Sequence, residues 1–120
     1  MFRISNGQFK MFDALALERD IVELSRRLGE EHPEECMTIG TDTDRQDFVR
    51  LAHKEALTCG IRLKQNVYLF TEARLLLGPG FHENRGQRPE LVEFLQNWKT
   101  SEDKKADVIA DELAMREVFI

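Results

Sequence analysis

Three histidines and two cysteines are the side chains of this chain best suited to hold a metal or to attack a substrate. His32 and Cys36 stand four positions apart, and His53, Cys59 and His82 are further candidates. A zinc site needs three or four such groups converging, commonly from ligand pairs at CxxC or HxxxH spacing. Neither pair occurs, and Pro33 between His32 and Cys36 disturbs a shared helical face. The expectation is no metal and no cofactor. It is also that Cys36 and Cys59 are reduced and packed, that His53 lies on a helix, and that His32 and His82 lie at the surface. His53-Lys54-Glu55 carries the HxE of zinc deaminases without their PCxxC partner.

Acid–base chemistry is no better served. Glu30-Glu31, Glu34-Glu35 and Glu102-Asp103 are neighbours in sequence. Adjacent residues diverge by about 100° on a helix, so these pairs read as solvated charge. No GxSxG elbow is present, and no catalytic residue is expected. The stretch Arg74-Leu75-Leu76-Leu77-Gly78-Pro79-Gly80-Phe81 has the glycines of a phosphate loop. A phosphate loop, however, places its glycines before a helix and ends in Gly-Lys-Ser/Thr, so that N–H groups and a lysine face the anion. Here they follow a helix, where carbonyls point outward, and no lysine comes next. Gly78 reads as the left-handed residue that ends a helix, Pro79 as the stop, and Phe81 as a side chain folded back onto the apolar side.

The elements that must position these residues are helical. Leu17, Ile21, Leu24 and Leu28 recur at four, three and four positions, one face of a helix with Gly29 as its stop. Pro33 to Met37 reads as a turn with a short helical piece. A second long helix starts with Asp42 or Thr43 as cap, carries Phe48, Leu51, Ala52, Ala56 and Cys59 on one stripe, and ends at Gly60. A third begins near Lys64-Gln65-Asn66, with Asn66 the best capping side chain, and its apolar positions make it the most buried. Pro89 opens a helix with Leu91, Phe94, Leu95 and Trp98, the tryptophan reading as core. Ser101 caps the last, whose inner face is Val108, Ile109, Leu113 and Met115. Strand alternation and hairpin turns never occur together, so the fold is all-α, a compact bundle of about five helices. The whole of 1–120 forms a single domain, with residues 1–11, including Phe2, Ile4 and Phe9, a possible extended arm.

Composition narrows the function classes. A net charge of −5 and a pI near 5.2 disfavour nucleic acid, because the pairs Arg26-Arg27 and Lys104-Lys105 are each flanked by acids. The longest apolar run, Leu75-Leu76-Leu77, is far short of the ~20 residues that span a bilayer. With no secretory h-region at the N-terminus, the expected location is the cytoplasm, without membrane insertion.

One wider pattern joins these pieces. Pro33-Glu34-Glu35-Cys36, Ile39-Gly40 and Phe48-Val49-Arg50 precede Ala56-Leu57-Thr58-Cys59-Gly60-Ile61. Asn66-Val67-Tyr68-Leu69-Phe70, Leu76-Leu77-Gly78-Pro79-Gly80-Phe81 and a helix carrying Pro89 and Leu95 follow. This pattern resembles small helical proteins encoded beside the spike (VgrG and PAAR) and effector genes of bacterial type VI secretion systems. Asn66 and His82 stand where that pattern has aspartates. The resemblance implies an accessory role, an adaptor or chaperone-like partner of an effector or spike protein, or otherwise an immunity protein that neutralises a toxin. A third class is a small enzyme with an unfamiliar site. The favoured reading is a non-catalytic protein that binds another protein. Trp, Tyr and Arg dominate binding hot spots, which makes Arg50, Tyr68 and Trp98 recognition candidates, although the spacing of Trp98 favours core. The expected partner contact is Arg50, Tyr68, Arg74 and Phe81.

Overall fold

The computed structural model describes residues 17–83 and 89–118. It is all-α: six helices, and no strand among the described residues. They are α1 (Leu17–Glu31), the single-turn α2 (Pro33–Cys36), α3 (Asp42–Thr58), α4 (Lys64–Leu76), α5 (Pro89–Gln96) and α6 (Glu102–Val118). The N-terminal arm expected over residues 1–11 lies outside the described residues.

Helix α1 buries Ile21, Leu24 and Leu28, the face its spacing requires. It does not stop at Gly29 but continues to Glu31, because that glycine serves packing instead. A Cβ there would meet the Nε of Arg45, reaching across from α3, at 3.2 Å. The cap of α3 is Thr41, one residue ahead of the expected Asp42. Its hydroxyl accepts from the Asp44 N–H at 3.2 Å while the Asp44 carboxylate accepts from the Thr41 N–H at 2.9 Å. Two orphan donors are satisfied reciprocally.

The buried face of α3 is Val49, Ala52, Ala56 and Cys59. Centring the stripe on Val49 rotates Leu51 outward to 45% exposure, against the sequence expectation. At the other end Gly60 takes φ +77°. The N–H of Ile61 reaches the Ala56 carbonyl at 2.9 Å and that of Gly60 the Leu57 carbonyl at 3.0 Å, which satisfies two terminal acceptors.

Helix α4 is the centre of the fold, packed against α1, α2, α3 and α6, with Asn66, Val67, Tyr68, Phe70, Thr71, Ala73 and Arg74 all buried. Its N-cap is Leu63, which has no capping side chain of its own. Asn66 does not cap it. Instead the Leu63 N–H and the Asn66 side-chain amide both donate to one oxygen of Glu102, at 2.8 and 2.9 Å. Lys105, the second lysine of the acid-flanked Lys104-Lys105 pair, is only 3% exposed and donates through Nζ to the Cys59 carbonyl at 2.6 Å. One turn of α6 therefore holds the end of α3 and the start of α4 together. Ser101 caps α6 as expected, accepting from the Lys104 N–H at 3.3 Å.

Three other side chains depart from the sequence reading. Trp98 is 84% exposed, because α5 ends at Gln96 and Asn97 starts a turn in which its Oδ1 accepts the Lys99 N–H at 3.0 Å. Helical spacing has no force beyond that point. Met115 is exposed on α6. His82 is buried, because the turn after α4 folds back and stacks it on Phe70 and Phe81, with ring centroids 5.3 and 5.6 Å away.

Two substitutions test this framework. Gly78 has φ +106° and open space within 4 Å of where a Cβ would stand, so the cost of Gly78→Val is purely one of backbone conformation. It is expected to lower the unfolding free energy by about 1–2 kcal/mol, read from the urea midpoint. Lys105→Met keeps the stem and removes the ammonium from the Cys59 carbonyl. It is expected to cost about 1.5–3 kcal/mol in the same measurement.

Candidate functional site

Among the described residues, two surface regions bring together side chains that the sequence marks for chemistry or binding. The first is a groove of about 590 Å³ between the start of α3, the end of α4 and the segment after α2. Ile39, Phe48, Leu51, Leu75 and Pro79 give it apolar walls, and Asp44 and Asp47 stand along one side. Arg74 also lines it. The Arg74 guanidinium lies 4.7 Å from the Phe48 ring centroid, and its Nε donates to Glu55 at 2.9 Å. Leu51 is the wall residue with the most to gain from a partner, since it is large, apolar and half-exposed on a folded helix.

The second place is polar and lies where the end of α1 and the start of α2 meet the middle of α4. The His32 Nε2 is 2.7 Å from the Glu72 Oε2. The Tyr68 hydroxyl donates to Glu31 Oε1 at 2.7 Å, and Arg27 donates to Glu31 Oε2 at 3.1 Å while its guanidinium covers the Tyr68 ring at 4.1 Å. Those two donors, the tyrosine first, hold the Glu31 carboxyl below the usual range. Burial, and then the adjacent Glu31 carboxylate, push the Tyr68 phenol far above its ordinary value, so it stays a donor. One ligand atom from each of Glu31, His32 and Glu72 lies within 4.8 Å of the others.

The four residues expected to form one contact are thus distributed. Arg74 lines the groove, and Arg50 is on α3 beside it, paired with Glu18 and Asp47. Tyr68 belongs to the polar cluster. Phe81 packs on Phe70 at a centroid distance of 4.9 Å. Tyr68, Arg74 and Phe81 are buried, so each holds the fold together as it stands. Residue type alone does not separate an anchor for a partner from an anchor for a neighbouring helix. The signals that sequence reasoning missed are Leu51, assigned to the core by spacing, and Glu72, whose partner His32 lies forty positions away, while Trp98, a recognition candidate that spacing assigned to the core, is exposed.

Cys36 and Cys59 are free and buried, and burial raises both thiols above their ordinary range. Cys36 turns inward, its Sγ 3.6 Å from the Leu28 carbonyl, and so does not join His32. Burial lowers the His53 imidazole. No family model, curated protein or solved structure matches this chain.

The geometry of Arg74 generates a measurable consequence. Arg74→Ala removes a charge-assisted hydrogen bond to Glu55 and the stacking on Phe48, and leaves a cavity in the wall of the groove. It is expected to lower the unfolding free energy by about 1.5–3 kcal/mol, with far-ultraviolet circular dichroism unchanged at low denaturant.

Proposed function

We propose that this chain works by holding another protein and catalyses nothing, as an adaptor or chaperone-like factor for a type VI secretion effector or spike protein. The observation that carries the binding part is the apolar groove beside α3 and α4, with Leu51 at 45% exposure on its wall. Grooves of this kind take the apolar side of an amphipathic segment, whose anchors sit at helical spacing. The exposed Trp98, with the Lys99 ammonium 5.4 Å from its ring centroid, adds a second large contact side chain of the type enriched in hot spots. The secretion part rests on the sequence resemblance. A factor that prepares a protein for delivery acts in the cytoplasm. No described helix is long and apolar enough to cross a membrane.

Leu51→Glu and Trp98→Ala alter exposed side chains and are expected to leave stability within about 0.5 kcal/mol of wild type. Leu51→Glu places a charge in the groove and is expected to weaken the partner by more than about 1 kcal/mol. The measurement is co-purification from the native cell with identification by mass spectrometry, followed by titration of the purified partner. An effector or spike protein captured by wild type and lost with Leu51→Glu supports the proposal. Identical capture by both moves the contact away from the groove. Neutralisation of a co-expressed toxin makes the role immunity. Turnover of a cell-wall, lipid or nucleic acid substrate by the protein alone overturns the reading.

A further inference from the structure

The polar cluster between α1, α2 and α4 has no part in the groove and asks for its own account. We infer that Glu31, His32 and Glu72 form a binding site for a divalent first-row transition metal, with Zn²⁺ the ion they fit best. The donor set is one imidazole and two carboxylates, within 4.8 Å of one another. Calcium takes six to eight oxygens, and magnesium prefers oxygen ligands with several retained waters, so an imidazole in the set selects against both. Zinc bonds lie at about 2.0–2.2 Å for nitrogen and carboxylate oxygen, which sets neighbouring donors roughly 3–4 Å apart. The 2.7 Å contact between His32 and Glu72 opens to that spacing by small side-chain rotation. Three protein ligands leave a fourth position for water or an incoming group.

The supports are built in. His32 is fixed through its main chain, its N–H donating to the Leu28 carbonyl at 2.8 Å and its carbonyl accepting the Cys36 N–H at 3.0 Å. Glu72 projects from the middle of the most buried helix, and Glu31 is oriented by Tyr68 and Arg27. Each Glu31 oxygen accepts one of these bonds and keeps another lone pair for a metal. Tyr68 and Arg27 are the outer groups that such sites use to aim a ligand carboxylate. Arg27 opposes a second cation, and two carboxylates outweigh it. Cys36 lies near in sequence but faces the Leu28 carbonyl, so it is outside the set.

The test uses the full chain, stripped with a chelator and titrated with Zn²⁺ by calorimetry and against a chromophoric chelator. One equivalent is expected to bind, with the His32 ring resonances shifting on addition and affinity falling as pH is lowered. His32→Ala and Glu72→Gln are expected to weaken binding by at least about tenfold, since losses of outer groups alone reach about 10–100-fold. Cys36→Ala is expected to bind as wild type does. Should His32→Ala fail to fold, Glu72→Gln carries the test, because its amide still bonds to the imidazole. Absence of saturable binding to wild type makes the cluster an ion-pair network and overturns the inference. Unchanged affinity in folded Glu72→Gln, or loss of binding in folded Cys36→Ala, overturns it as well.

Discussion

The first turn of α6 carries two opposite charges one turn apart, and each meets the helix end of opposite sign. The Glu102 carboxylate sits at the N-terminus of α4, and the Lys105 ammonium sits on the Cys59 carbonyl that closes α3. A helix N-terminus presents unpaired N–H groups and partial positive charge, its C-terminus unpaired carbonyls and partial negative charge. Because α4 lacks a cap of its own and Lys105 is buried, neither contact is decorative. A buried lysine must be paired, and the carbonyl of Cys59 is what pairs it. The α3–α4 corner is therefore locked to α6, and the angle of α4 follows from that lock.

The angle of α4 in turn places both candidate sites. Four of its polar residues each cross to a different neighbour: Asn66 to α6, Tyr68 to the end of α1, Glu72 to His32, and Arg74 to Glu55 of α3. Buried polar groups need partners, so these bonds restrict the register of a helix that apolar packing alone would leave free to slide. The same residues then acquire a second meaning at the surface. Arg74 lines the groove while bonded inward, and Tyr68 aims Glu31 while covered by Arg27.

The helices, and most of their stops, were legible in the chain, although α1 runs past Gly29 to Glu31. Apolar spacing finds the inner face of α1, Gly60 and Gly78 lie where left-handed residues end helices, and Pro89 and Ser101 open the last two. Spacing did less well at the rotation of α3 and the length of α5. A stripe of Phe48, Leu51 and Ala52 is as good on paper as one centred on Val49. Only the choice of which residue faces α4 turns Leu51 outward. Trp98 continues a helical count that the Asn97 turn has already broken.

Sequence by itself determined that this chain is helical, where most helices begin and end, and that no familiar catalytic or phosphate-binding motif is written along it. Those features depend on residues within a turn of one another, where backbone preference and capping act. Tertiary structure alone decided which residue caps α4, that Lys105 is buried, that Leu51 and Trp98 face outward, and that Glu72 meets His32. The deciding hydrogen bonds join residues 36 to 46 positions apart. Lys, Arg, Tyr and Glu each combine an apolar stem or ring with a polar tip, and suit the surface and the interior equally well until a partner arrives. That partner comes from another helix, and the packing of helices brings it.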